Sequence, residues 1–110
     1  MELSNEIQQK RVHLKNCGGT YILKHKVNEK HFWVHIDKQH AIWFDDKEGS
    51  WKVGQLKDLG TDVCYFSTPK SSVKAEYPYD NRLSWIYYVG RDKGWKSALT
   101  NDVRLTYGGK

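Results

Sequence analysis

The sequence predicts an all-β domain, a small barrel or sandwich of about 8–9 mostly antiparallel strands. Apolar and polar residues alternate from Val12 onward, which is the period of a strand with one buried face. No segment keeps a helical period for about three turns. Aromatic residues make up 14% of the chain and hydrophobic residues only 38%, so a few large rings must supply the core, and such residues favour sheets.

Turn signals separate the strands, and most turns carry the Gly, Asn or Asp that a positive φ angle favours. The strands are predicted, in order, at 12–15, 20–26, 31–37, 41–45, 51–54, 63–67, 84–89, 94–97 and 102–107. At 110 residues the chain is one domain, which we place at 11–107. Residues 1–10 are predicted to form a flexible N-terminal segment, and 108–110 a C-terminal tail.

The longest stretch without a clear pattern runs from residue 68 to 83 and holds both prolines of the chain, Pro69 and Pro78. Long surface loops on small β scaffolds often carry recognition residues. The two tyrosines of this loop, Tyr77 and Tyr79, are therefore candidate ligand-binding residues.

Two patterns occur twice in the chain. An aromatic strand, a charged turn and a Trp follow one another in 42–52 and again in 86–96, which predicts two similar hairpins inside one domain. Val-x-Leu followed by Gly-Gly occurs in 12–19 and in 103–109. The second repeat predicts either one unit of a tandem array or first and last strands that pair and close the sheet.

The spacing of aromatic and glycine residues over 12–107 resembles a Trp/Tyr-rich β module that recurs, often in tandem, in large eukaryotic multidomain proteins. The positions that carry the resemblance are Gly19, Tyr21, Leu23, His31, Trp33, His35, Asp37, Trp43, Trp51, Gly54, Gly60, Pro78, Trp85, Tyr87, Trp95, Val103 and Leu105. The resemblance implies a compact repeated domain with a binding or scaffolding role, a structural Trp33 and no enzyme activity. The richness in Lys and His departs from that module and leaves the partner open.

Alternation in the strand 31–37 separates two faces. His31, Trp33 and His35 share one face, and the other face is aliphatic and is the predicted core. The His/Trp face is therefore a candidate ligand-binding face, with a solvated polar face as the simpler interpretation. Histidines two residues apart on a strand are about 7 Å apart, which suits a metal poorly, so we predict no metal and no cofactor.

The formal net charge of +5 permits an acidic partner without demanding one. Lys24, Lys26, Arg91 and Lys93 are candidate ligand-binding residues, and a scattered cationic surface is the simpler interpretation. If these residues gather on one face with exposed rings, they would suit a nucleic acid or another polyanion.

Trp43, Trp51, Trp85 and Trp95 occur at matching points of the two hairpins, which predicts core pillars. The alternative is that these rings are stacking platforms for a sugar, a nucleobase or a peptide. We expect the two cysteines to be reduced, with a disulfide as the alternative. Cys64 is predicted to be an inert core thiol and Cys17, beside two glycines, a more exposed one.

These patterns together predict a non-catalytic interaction module that binds a protein or glycan partner within a larger or tandem protein. The alternative is a nucleic-acid-binding or other polyanion-binding domain. No nucleophile motif or phosphate-binding loop is present, so no catalytic residue is predicted. The first ten residues lack a signal-peptide core, and no window approaches the roughly 20 apolar residues of a membrane span. We therefore predict no membrane insertion, and a cytoplasmic or nuclear location is slightly favoured.

Overall fold

The computed structural model describes residues 1–5, 17–27, 30–69, 77–80, 83–88, 94–97 and 103–106. These residues contain nine strands and one short 3₁₀ helix at Leu56–Asp58. The strands are β1 (Glu2–Asn5), β2 (Gly19–Val27), β3 (Lys30–His35), β4 (His40–Asp45), β5 (Ser50–Gln55), β6 (Phe66–Ser67), β7 (Ile86–Tyr88), β8 (Trp95–Ser97) and β9 (Val103–Thr106). The predicted all-β class is confirmed.

The strands follow the order β8-β7-β6-β5-β4-β3-β2-β1-β9, and all neighbours are antiparallel. From β2 to β8 each strand pairs with the next one along the chain, which makes a meander. β1 pairs with the beginning of β2 on one side and with β9 on the other. In the described parts of the chain no pairing joins β8 to β9, so the sheet is not closed there.

The N-terminal residues correct one prediction. Residues 2–5 form β1, where the sequence predicts a flexible segment, and all four pair with β9. The ammonium of Met1 donates to the carbonyl of Tyr21 at 2.8 Å, and the backbone N–H of Tyr21 donates to the carbonyl of Met1 at 2.7 Å. Backbone pairing and the buried side chain of Leu3 hold this segment in place. The strand predicted at 12–15 lies outside the described residues.

One core lies on the concave side of the sheet. Its members come from β9 at one end of the order, from β7 near the other end and from the strands between, so the sheet curls around them. They are Leu3, Cys17, Tyr21, Trp33, Ile42, Trp51, Val53, Phe66, Trp85, Tyr87 and Leu105. Extents of 34 × 30 × 26 Å agree with a strongly curved sheet. Trp51 and Trp85 belong to this core and Trp43 is fully buried, as predicted. Trp95 is 42% exposed, so the prediction that it is a core residue is wrong.

A second packed layer covers the outer face of β4 and β5. Trp43 points to this face, is fully buried, and donates from its indole N–H to the carbonyl of Thr61 at 2.9 Å. A Cβ added to Gly54 would lie 3.0 Å from Cys64 Cα and 3.1 Å from Trp43 Cη2, so the connection after the 3₁₀ helix crosses directly over this glycine. Both faces of β4 are therefore buried, which strict alternation does not anticipate.

Both predicted strand pairs are present, and each of them contains an aromatic residue that faces a Trp on the other strand. Phe44 faces Trp51 across β4 and β5, with ring centroids 5.3 Å apart. Tyr88 faces Trp95 across β7 and β8, with ring centroids 5.4 Å apart. Their environments differ, because Trp51 is 1% exposed and Trp95 is 42% exposed. The same local structure thus supplies a core ring in one place and a surface ring in the other.

Candidate functional site

The predicted assignment of faces in β3 is wrong. Trp33 and His35 are buried at 6% and 9% exposure, whereas Ile36, on the predicted core face, is 61% exposed. Trp33 lies opposite Ile42, and His35 lies opposite Tyr21, so both point into the concave core. A Trp ring buries more apolar area than an aliphatic side chain, and this outweighs the number of aliphatic residues on the other face.

His35 is held in place by two hydrogen bonds. The backbone N–H of Asp37 donates to Nδ1 at 2.9 Å. Nε2 donates to the carbonyl of Gly18 at 2.7 Å. The ring also meets Tyr21 edge-on, with centroids 4.9 Å apart. These contacts give His35 a structural role and not that of a ligand-binding residue.

Asp37 lies between two histidines at the end of β3. Its carboxylate is 3.1 Å from Nδ1 of His35 and 2.9 Å from Nδ1 of His40, and it accepts from the backbone N–H of Gln39 at 2.8 Å. Partial burial opposes ionisation of Asp37, but these hydrogen bonds and the nearby histidine charges lower its pKa overall. Among the residues that the structure describes, no group of three or more His, Cys, Asp or Glu could hold a metal ion.

The lowered pKa of Asp37 predicts a pH-dependent contribution to stability. This contribution is complete above the ordinary Asp pKa of about 3.9 and is lost as the pH falls through the lower folded-state value. Wild-type protein should exceed Asp37→Asn in unfolding free energy by up to about 1 kcal/mol at neutral pH, and the difference should vanish in acid. Urea unfolding across the acidic range measures this difference. Asp46→Asn, in the exposed β4–β5 turn, is the matched control, and an acid-independent gap for Asp37→Asn would contradict the argument.

The loop tyrosines join the core to the surface. Tyr77 is exposed and stacks on Tyr79 with centroids 5.2 Å apart and planes 9° apart. Tyr79 in turn meets Trp33 edge-on at 6.4 Å. The structure therefore brings three of the predicted ligand-binding residues, Trp33, Tyr79 and Tyr77, into one row. Tyr77 is the exposed ring at the end of this row. His31 is partly buried, and its Nδ1 has no hydrogen-bond partner among the described residues.

Lys24 and Lys26 are exposed, as a binding role requires, and they belong to an unusual part of β2. Five consecutive residues of this strand, 22–26, are exposed, including Ile22 at 48% and Leu23 at 54%. A strand whose side chains are exposed on both faces extends beyond the core. Arg91 and Lys93 lie outside the described residues, so their position relative to the two lysines stays a prediction.

One edge of this exposed segment carries backbone groups without a strand partner in the described structure. Tyr21 directs its N–H and C=O to Met1, on the side away from β3. Thr20, one residue earlier, directs its carbonyl to Ile36 on the β3 side. Because these directions alternate along a strand, Leu23 points its N–H and C=O to the same side as Tyr21. No described strand pairs with β2 on that side beyond Tyr21. We call residues 22–26 and this edge the β2 arm.

The cysteines reverse the predicted exposure. Cys17 is fully buried, whereas Cys64 is half-buried and lies in the connection that crosses β5. No disulfide joins them, so both are reduced thiols, as expected. Burial raises the pKa of Cys64 to about 12 despite the opposing charge of Lys52, and burial also raises the pKa of Cys17. Neither thiol is therefore ionised near neutral pH.

Sequence reasoning found the two lysines of the β2 arm but missed Ile22 and Leu23 as exposed residues, because aliphatic residues in a strand usually indicate a buried position.

In the described part of the chain, no helix is long and apolar enough to cross a membrane. No protein-family model matches the chain, and no curated protein or solved structure shows significant similarity to it.

Proposed function

We propose that this domain is a non-catalytic interaction module that binds an extended, acidic protein segment along the β2 arm. One observation carries the proposal. Five consecutive exposed residues of a strand combine a backbone edge that no described strand occupies, two aliphatic side chains and three basic or histidine side chains. An exposed edge strand with apolar side chains is a template for a further strand, so it either binds a partner or promotes aggregation.

The backbone of the arm supplies the first contact. A peptide laid beside β2 would continue the lane that β1 occupies as far as Met1 and Tyr21. Its first hydrogen-bonded pair would form with the N–H and C=O of Leu23. The irregular register between Leu23 and Lys26 limits the added strand to a short pairing. Short pairings bind weakly through the backbone, and side chains must add affinity.

The side chains of the arm define the partner. Ile22 pairs with Val34, and Ile36 follows on the same outer face, so this face offers an aliphatic surface. Lys24 and Lys26 flank it with positive charge, and the protein as a whole carries +5. A segment with aliphatic residues and nearby Asp or Glu is complementary to both features.

The test uses two substitutions at one position. Leu23→Pro removes the edge N–H but no hydrogen bond to β3, whereas Leu23→Ala keeps the N–H and removes the side chain. A displayed random-peptide library selected on wild-type protein should enrich peptides that combine aliphatic and acidic residues. We expect Leu23→Pro to abolish their binding, and Leu23→Ala to weaken it by about tenfold or less. Folding of both variants is checked by circular dichroism and thermal unfolding.

Charge reversal separates protein recognition from polyanion binding. The double variant Lys24→Glu with Lys26→Glu should bind acidic peptides more weakly than wild type does and basic peptides more tightly. In a parallel experiment, single-stranded oligonucleotides are titrated at two salt concentrations. Strong, salt-sensitive oligonucleotide binding that Leu23→Pro leaves unchanged would overturn the proposal in favour of a polyanion-binding domain. Enriched peptides that bind Leu23→Pro as well as wild type would also overturn it.

A further inference from the structure

A polar cleft of about 310 Å³ lies on the outer side of the sheet, where β5 and β6 meet the β7–β8 hairpin. Its lining includes Glu48, Lys52, Asp62, Thr68 and Trp95. The volume is at the lower end of the range for small-molecule sites, which begins at about 300 Å³. The cleft is separate from the β2 arm, and no residue of the arm lines it.

Lys52 forms the buried part of this cleft. Its side chain is 3% exposed, and its ammonium donates to Glu48 Oε1 at 2.7 Å and to Ser67 Oγ at 3.0 Å. An ammonium has three N–H donors, and these two acceptors are its partners among the described residues. The third N–H is therefore available to a molecule in the cleft. Burial of a charged group is costly unless it is hydrogen-bonded, so the position of Lys52 is well defined.

Hydroxyl and carboxylate groups line the same cleft as the ammonium. Thr68 Oγ1 accepts from the backbone N–H of Trp51 at 2.9 Å, and its own O–H is left to donate elsewhere. Glu48 is half exposed and brings a second carboxylate oxygen, and the exposed Asp62 brings two more. Donors and acceptors thus lie side by side. A ligand that both donates and accepts hydrogen bonds at neighbouring atoms would satisfy them together.

The remaining wall is apolar. Trp95 is 42% exposed and is supported from behind by Tyr88, with ring centroids 5.4 Å apart and planes at 58°. Ile86 lies beside it in the cleft lining. The residue equivalent to Trp95 in the other hairpin is Trp51, which lies in the core. The exposure of Trp95 therefore does not follow from the hairpin itself. An exposed, supported indole offers a flat apolar surface to a ring-shaped ligand.

The charges of the cleft select among ligand classes. Lys52 contributes one positive charge, and Glu48 and Asp62 contribute one negative charge each, so the cleft has no positive excess to attract an anion. A small cation would leave the apolar wall and the hydroxyl groups of the cleft without a partner, so the cleft does not suit a cation either. A sugar ring has a C–H face for the indole and hydroxyls that both donate and accept. We propose that this cleft binds one neutral pyranose unit of a glycan.

The probes are methyl glycosides of common neutral hexoses, each titrated to tens of millimolar and followed by ¹H–¹⁵N correlation spectra. Saturable shifts at the Lys52 amide and the Trp95 indole should appear for at least one glycoside, with a Kd near 1 mM, about −4 kcal/mol. Acetate and methylammonium are titrated in parallel arms. We expect neither of them to produce saturable shifts at these positions.

Two variants make the test specific. Trp95→Ala removes an exposed ring and should weaken glycoside binding by about tenfold or more with the spectrum otherwise unchanged. Thr68→Val removes the donating hydroxyl and with it the acceptor for the backbone N–H of Trp51, so its folding is checked by thermal unfolding. It should weaken glycoside binding less than Trp95→Ala does. Tyr77→Ala, an exposed ring elsewhere, is the matched control and should bind as wild type does. Absence of saturable shifts with every glycoside, binding of acetate or methylammonium instead, or unchanged binding by Trp95→Ala would overturn the proposal. Leu23→Pro should bind glycosides normally, so failure of this proposal and failure of the β2-arm proposal are distinguishable.

Discussion

Replacement of Trp33 by alanine is expected to lower the free energy of unfolding by about 3–5 kcal/mol. Trp33 is 6% exposed, lies opposite Ile42, and contacts Trp51 with ring centroids 6.1 Å apart and Tyr79 at 6.4 Å. Removing it leaves a cavity that its neighbours can fill only in part. A domain of this size has about 5–15 kcal/mol of stability in all, so the variant should be largely destabilised.

Urea unfolding followed by far-UV circular dichroism measures the effect. Circular dichroism is preferred to Trp fluorescence, because the loss of one Trp changes the fluorescence signal itself. Trp95→Ala is the control, since it removes the same side chain from an exposed position, and it should cost about 1 kcal/mol or less. If Trp33→Ala were as stable as Trp95→Ala, Trp33 would not be a core residue, and the predicted ligand-binding face of β3 would be restored.

The β3 strand shows what periodicity can and cannot predict. Alternation correctly separates Trp33 and His35 from Val34 and Ile36, because side chains of a strand alternate whatever its surroundings. It does not show which face is buried, because that depends on the neighbouring strands. Tyr21 on β2 lies opposite His35, and Ile42 on β4 lies opposite Trp33. Together with Trp33 they enclose more apolar area than the aliphatic face could.

The sequence predicts that Trp43 is buried, but it does not predict which segment covers the outer face of β4. Trp43 points away from the concave core and is covered only because the chain after the 3₁₀ helix returns across Gly54. The glycine at this crossing is readable from the sequence, but the segment that crosses it is not. Lys52 likewise reads as a surface residue, and its burial depends on Glu48 and Ser67, which the fold brings to it.

The two hairpins illustrate how one local sequence pattern supports two roles. In each, an aromatic residue faces a Trp at almost the same ring separation, which is a property of the paired strands alone. Trp51 is then buried because β3 and the 77–80 segment contribute Trp33 and Tyr79 to the core around it. Trp95 lies on the terminal strand β8, beside the cleft. Position in the sheet, and not the hairpin, decides which ring is available to a ligand.

Gly19→Ala is expected to be the second strongly destabilising change, at about 3 kcal/mol. Gly19 has φ +126°, a conformation that side chains other than glycine rarely adopt. A Cβ here would also lie 2.7 Å from Nε2 of His35, the atom that donates to Gly18. The new methyl group must displace the imidazole and break that hydrogen bond. Thermal and urea unfolding of the variant measure the loss.

The two causes of this loss can be separated. Gly49 has φ +65°, and a Cβ there would meet nothing within 4 Å, so Gly49→Ala reports backbone strain alone and should cost about 1 kcal/mol. Removing the imidazole with His35→Ala should make the added methyl group less harmful. The double variant should therefore be more stable than the sum of the single effects by about 1 kcal/mol or more. Strict additivity would mean that Gly19 is required only for its φ angle, and that contact with His35 does not restrict this position.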